Sequence, residues 1–300
     1  MDGSPHRSTV LGFLYAGMVV LLWAGFNLTG RYAALAPGVR LTPWDLAAVR
    51  FAVTLPVGMV AYAMGPGRGL TWWRGAVVAA VAGLCFSLPA YVGFTYAPAA
   101  HGAVIMSGTL PFFVAAGLAL TGAQRWGRAE TQSLLVLLPG IALLGYVAFG
   151  QGARPGAWRG DLLFVMAVMA WAMFTVLARR WALTPWQVVS MVGIWAGAAY
   201  LPVWVLMLPS HMAQVSGGVI AFQALVQGVL VPIVSVILFT RALILLGPAR
   251  VSLVTALVPA IAGLLSMPLL GEELGLLDAA GLMFVSAAVA LGVLRRPQSP

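Results

Sequence analysis

The chain has 300 residues, 16 basic and 7 acidic, so 8% are charged, while 62% are hydrophobic and the mean hydropathy is +0.99. A soluble surface needs about a quarter of its residues charged, which excludes soluble enzymes and nucleic-acid binders and leaves an all-α integral membrane protein. The net charge of +9 is carried by arginines dispersed in ones and twos, a topology signal rather than a nucleic-acid patch, and the single cysteine excludes a disulfide framework.

A helix needs about 20 apolar residues to cross the hydrocarbon and must satisfy its own backbone. The pattern predicts ten such segments, in chain order Leu11–Ala33, Trp44–Met64, Gly75–Tyr96, Gly102–Leu120, Ser133–Phe149, Asp161–Ala178, Gln187–Leu208, Gly218–Phe239, Ala249–Leu270 and Leu277–Leu294. The apolar runs do not alternate, so a membrane barrel is excluded. Turn compositions separate the segments, among them Gly65–Gly69, Gly152–Gly156 and Pro209–His211. The first segment is too long for a signal-peptide core and is expected to remain as a membrane helix. Cys85, inside the third apolar run, reads as a small core residue. Gly193 and Gly197 form a GxxxG packing pattern in the seventh.

Arginines on alternate loops set the expected orientation. Arg7, Arg68, Arg74, Arg125, Arg128, Arg179, Arg180, Arg241, Arg250, Arg295 and Arg296 fall on one side, eleven against the four of Arg31, Arg40, Arg154 and Arg159 on the other. Cytoplasmic loops carry the excess, so both termini are expected in the cytoplasm. Arg50 alone falls within a span.

The chain repeats itself. Trp23–Leu35 aligns with Trp171–Leu183 at an offset of 148, the same offset superposes Pro111 on Pro259, and the string LTPW follows at Leu41–Trp44 and again at Leu183–Trp186. Residues 1–150 and 151–300 are then two five-helix repeats. Because five is odd, the second enters the membrane from the opposite side, an inverted repeat whose usual consequence is a midplane site between rocking halves. That arrangement is expected to set Trp23 beside Trp171.

These features, with the segment Ala256–Gly281 that holds Pro259 in mid-span and Gly271-Glu272 at its helix end, resemble the EamA branch of the drug/metabolite transporter superfamily, and within it the bacterial YddG-type exporters of aromatic amino acids. The resemblance runs from Leu11 to Leu294. It implies a central cavity walled by spans 1 to 4 and 6 to 9, with spans 5 and 10 peripheral, and export of small metabolites across the bacterial inner membrane. The first half departs from the pattern, with Gly122-Ala123-Gln124 where the second has Gly271-Glu272, which favours a structural role for the glutamate.

Polar side chains at hydrocarbon depth face a cavity or another helix. The candidates for a substrate cavity are Trp23 and Asn27, Ser87 and Tyr91, His101 and Ser107, Trp171 and Thr175, Gln223 and Gln227, then Ser235 and Ser252. Several pairs stand four residues apart and so share a helix face. Pro89, Pro111, Pro232 and Pro259 are candidate helix breaks that free backbone carbonyls; as packing kinks they would need no substrate. Ser107, Thr109, Ser252 and Thr255 can equally bond their own backbone. Trp44, Trp72, Trp73, Trp158 and Trp186 suit the membrane interface. Trp23 and Trp171 lie about 18 Å and 15 Å into their segments at 1.5 Å per residue, so each either packs tightly or lines an aromatic cavity.

None of the acids falls in mid-span, so proton coupling through a buried carboxylate is not expected, and the reading is facilitated movement of a neutral zwitterion. His101 could titrate near neutrality or simply cap its helix. No cofactor motif, metal-ligand cluster or nucleophile elbow occurs, which argues against a membrane enzyme. A channel would show charge rings or a carbonyl filter, and a nucleotide-sugar carrier would need buried cations for phosphate. The expected partners are amino-acid substrates and the lipid bilayer, with no nucleic acid; the sequence leaves room for a homo-oligomer.

Overall fold

Uninterrupted apolar runs leave the backbone no partner but itself, and helix is what they form. The computed structural model describes residues 5–36, 38, 40–122, 127–149, 156–255, 257–272 and 275–294, and no strand occurs among them. In chain order the helices are α1 (Pro5–Leu35), α2 (Pro43–Ala63), α3 (Trp72–Tyr96), α4 (Ala99–Leu120), α5 (Arg128–Phe149), α6 (Ala157–Arg180), α7 (Pro185–Met207), α8 (Gly217–Leu246), α9 (Val258–Leu270) and α10 (Leu276–Leu294). Among the described residues, seven helices, α1 to α4 and α6 to α8, are long and apolar enough to cross a membrane. Among the orientation arginines, the side chains of Arg7, Arg125, Arg154, Arg250, Arg295 and Arg296 lie outside the described residues.

The repeated LTPW strings are helix starts. Thr42 and Thr184 each accept a bond from the backbone N–H three residues on, while Asp45 and Gln187 reach back to the cap N–H, so α2 and α7 open on matching capping boxes with proline in the first turn. Pro111 and Pro259 are likewise in first turns, of Leu110–Leu120 and Val258–Leu270. They were expected as mid-span kinks, but the break lies just before each, where a proline costs no hydrogen bond. Gly271 closes α9 in the left-handed conformation at φ 63°, which favours glycine there.

One boundary differs from the expectation. Helical turns follow one another from Ser235 through Thr255 with no loop between the eighth and ninth spans, although Pro248 has no N–H to carry the hydrogen-bond ladder through. The direction of packing still reverses there. Trp23 meets Ser235 and Phe239, and Gly12 faces Leu246, whereas Val258 and Ala262 cluster with Val20 and Ala24. The chain therefore runs antiparallel to α1 as far as Leu246 and parallel to it beyond Val251, around Gly247-Pro248.

The helices pair in a pattern that survives exchange of the two halves. α1 packs on α8 and α9, as α6 packs on α3 and α4; α2 packs on α7; and α5 packs on α10, away from the centre. The α2–α7 contact is close because Gly193 has no side chain: a Cβ there would collide with the Thr54 carbonyl. Gly197 sits against Leu55 in the same seam, so the GxxxG pattern is used for packing. Cys85, expected in the core, is exposed on the outside of α3.

Candidate functional site

Four helices loosen where they approach the centre. Ala79–Leu84 of α3, Val104–Gly108 of α4, Val192–Ala196 of α7 and Ala224–Val234 of α8 are wound as π-type turns, a form that recurs at functional sites because it pushes residues out of the regular helix face. Each contributes to the wall of one cavity: Ala82, Met106 with Ser107, Val192, and Val231 with Pro232. α1 adds Trp23, Phe26 and Asn27, α2 adds Arg50 and Thr54, and α6 adds Val168 and Trp171. The cavity volume is about 120 Å³, and about 1010 Å³ of open space when its mouth is counted. Seven helices build it. α9, expected as a wall, does not line it.

The aromatic rings are in two groups. Trp171 tilts against Phe86 of α3 at 4.8 Å and against Phe174 at 5.0 Å, while Trp23 tilts against Phe239 of α8 at 5.5 Å. Both indoles line the cavity, each packed on a ring from the other half; they were expected side by side and stand in separate stacks instead. The Trp23 Nε1–H donates to Ser235 Oγ at 3.1 Å, and the Ser235 hydroxyl donates in turn to the Val231 carbonyl at 2.6 Å.

Beyond Phe26 the bundle is shut. The Tyr91 hydroxyl donates to Gln227 Oε1 at 3.1 Å, Gln227 Nε2 donates to Thr29 Oγ1 at 2.9 Å, and Gln223 Nε2 donates to the Thr29 carbonyl at 3.1 Å. Above this layer Arg31 Nε meets Glu272 Oε1 at 2.9 Å and Arg31 Nη1 meets the Phe94 carbonyl at 2.5 Å, while the Ala99 N–H donates to Glu272 Oε2 at 3.1 Å. Arg31 and Glu272 are 2% and 3% exposed, so the pair ties α1, α3, α4 and α9 together out of water. His101 Nδ1 meets Asp161 Oδ1 at 3.0 Å, joining α4 to α6 at the same end. At the opposite end Phe86, Leu110, Trp171, Val188 and Val236 are only part-buried, and the cavity opens toward it.

Six of the twelve candidate substrate residues are drawn away from the cavity. Tyr91, Gln223, Gln227 and His101 are bridges between helices in the sealed region; Thr175 bonds the Trp171 carbonyl of its own helix at 2.8 Å; and Ser87 is fully buried with its hydroxyl unpartnered among protein atoms. An amide or hydroxyl facing a neighbouring helix satisfies the same need as one facing a solute, and helical spacing does not separate the two. Trp23, Asn27, Ser107, Trp171 and Ser235 do line the cavity, as does Pro232, whereas Pro89, Pro111 and Pro259 do not. The Ser252 side chain lies outside the described residues.

Sequence reasoning passed over Arg50 as a cavity residue. Its guanidinium is 3% exposed and lines the cavity beside Asn27 and Thr54, with Nε and Nη1 lacking any hydrogen-bond partner among protein atoms. It was noted as the one arginine inside a span, and its depth, seven residues into α2, was the signal available.

Comparison with curated proteins found no match. Among solved structures, a chain described only as a crystal structure of a protein matches with a TM-score of 0.63 at 22% identity, over 99% of this chain and 100% of its own, a likeness of fold alone. Residues 158–294, which cover α6 to α10 almost entirely, match the EamA-like transporter family.

Proposed function

We propose that the chain is a multi-pass membrane transporter that exports small solutes with large apolar bodies, aromatic and other large apolar amino acids in the manner of YddG-type exporters, by alternating access around the central cavity. One observation carries this reading: a cavity walled by aromatic and branched side chains from both halves, sealed by a buried ion pair at one end and open toward the other. A carrier needs a site that two closures can expose in turn. The pairing of helices, which is unchanged when residues 1–150 and 151–300 are exchanged, supports an inverted repeat rocking about that site.

Apolar burial contributes roughly 25 cal/mol per Å², so Phe, Trp, Met and Leu should outcompete Gly, Asp and Lys. Purified protein in liposomes, loaded with labelled amino acids, tests identity and coupling together. Saturable counterflow with that ranking and without a pH gradient supports the reading. Absence of counterflow with every amino acid, or strict dependence on a proton gradient, sinks it. The proposed setting is the bacterial inner membrane with both termini in the cytoplasm, and a reporter fused after Arg296 that is active only in the periplasm would overturn that orientation.

A further inference from the structure

A buried arginine in a membrane bundle is costly unless it is paired or faces a water-filled or ligand-filled cavity. Arg50 has the second solution and not the first. The described acidic side chains are all engaged elsewhere: Asp45 caps α2 and accepts from Trp204 Nε1 at 3.1 Å and from the His211 N–H at 2.9 Å, Asp161 holds His101, and Glu272 holds Arg31. The polar group beside the guanidinium is the Tyr91 hydroxyl, which is neutral and donates to Gln227. Among the described residues no Asp or Glu lines the cavity. The wall therefore presents one uncompensated positive charge to an otherwise apolar space.

We propose that Arg50 anchors a single anionic group of the solute, and that the cavity takes monocarboxylates with aromatic or large apolar bodies whether or not they carry an ammonium group. This rests on reading the cavity as the solute site. The planar fork of a guanidinium matches a carboxylate through two parallel hydrogen bonds, from Nε with Nη2 or from Nη1 with Nη2, and on Arg50 each of these edges holds one nitrogen without a partner among protein atoms, Nε on one and Nη1 on the other. Phe26, Phe86 and Trp171 stand along the same wall to receive the body. The wall holds little for an ammonium. Its acceptors are neutral: Asn27 Oδ1, without a partner among protein atoms, is buried against Gly102, and Ser235 Oγ is already engaged with Trp23. An amine lacking a carboxylate meets only repulsion from Arg50, and a phosphate dianion leaves one negative charge unmatched in an apolar space. On this proposal the neutral zwitterion expected from the sequence is held through its carboxylate by charge, and its ammonium is dispensable.

The test uses the purified full-length chain and isothermal titration with 3-phenylpropanoate, phenylalanine, 2-phenylethylamine and phenyl phosphate, on the parent, Arg50→Gln and Arg50→Lys. A charge-assisted bond is worth enough to change affinity about ten- to a hundredfold. The expected result is that the two carboxylates bind within a few-fold of each other, the amine and the phosphate at least about tenfold more weakly. Arg50→Gln should weaken the carboxylates by that factor while the amine, relieved of repulsion, binds no more weakly than to the parent, and Arg50→Lys should restore part of the loss. Amine binding equal to that of the carboxylate, tighter binding of the phosphate, or an equal loss for every ligand in Arg50→Gln overturns the proposal. The parent's ligand ranking decides the matter even if the variants fail to fold. Counterflow separates this proposal from the transport reading. Carboxylate-selective binding with no ligand moved keeps the anchor and rejects the transporter, whereas movement without carboxylate preference rejects the anchor alone.

Discussion

The buried Arg31–Glu272 pair is open to a quantitative test. The two charged groups are 2.9 Å apart and nearly inaccessible, and each has a backbone partner as well, Phe94 O for the arginine and the Ala99 N–H for the glutamate. At an effective dielectric near 20, unit charges at about 4 Å attract by about 4 kcal/mol, an interaction set against the cost of desolvating both. Replacing one partner leaves the other buried and uncompensated, which costs about 3–5 kcal/mol; replacing both by apolar groups of similar volume is often neutral. Glu272→Met and Arg31→Met should therefore each destabilise the protein strongly, while the double variant recovers most of the loss. The assay is a double-mutant cycle on denaturant or thermal unfolding in detergent. Additive losses, with a coupling below about 0.5 kcal/mol, would refute the reasoning and make the pair two independent packing residues.

Three further outcomes follow from the packing. Trp171→Ala should weaken transport of aromatic substrates more than of Thr, by about 0.5–1.5 kcal/mol beyond burial, because its ring is on the cavity wall; equal losses would assign it to packing. Tyr91→Phe should instead reduce stability by about 1 kcal/mol and affect all substrates alike, since the hydroxyl bridges to Gln227 outside the cavity, and a substrate-selective effect would place it in the pathway after all. Gly193→Ala should cost about 1–3 kcal/mol through overpacking against the Thr54 carbonyl, read as a lower unfolding temperature; an unchanged temperature would mean the α2–α7 seam is loose.

Much of the frame is legible because it is written in residues with a single physical meaning. Proline and a Thr-x-x-Asp or Thr-x-x-Gln box start a helix wherever they stand, and LTPW marks the starts of α2 and α7. The midplane depth of Trp23 and Trp171 likewise led to cavity walls. The site was less legible because polar side chains have two uses in hydrocarbon. Gln223, Gln227 and Tyr91 read like substrate ligands and turn out to join α1 and α3 to α8. Arg50 was visible in the sequence, yet whether a buried arginine has a counter-ion depends on residues distant in the chain. Nor does local spacing announce π-type winding, since α4 and α7 widen with no proline inside the widened stretch.

The two ends of the bundle are not chemically equivalent, and the repeat locates the difference. At the offset of 148, Arg31 corresponds to Arg179 and Glu272 to Gln124, while Gln227 corresponds to Ala79 and Thr29 to Leu177. The arginine thus has a charged counterpart, but the glutamate is matched by a neutral glutamine and the Gln227–Thr29 bridge by apolar residues, so the repeat supplies no equivalent ion pair. A two-state carrier with these ends is biased toward closure at the Arg31 end, the state that the coordinates hold. Removing the charge should shift the balance toward opening at that end, and each 1.4 kcal/mol lost multiplies the open population by about ten. In a Cys85→Ser background, Thr29→Cys reports on the sealed layer, because Thr29 receives Gln227 directly. Its reaction with a membrane-impermeant maleimide applied from the Arg31 side should be slow, and Glu272→Gln should accelerate it at least about tenfold. An unchanged rate would show that the aromatic layer around Phe26 and Phe94 holds that end shut without help from the ion pair.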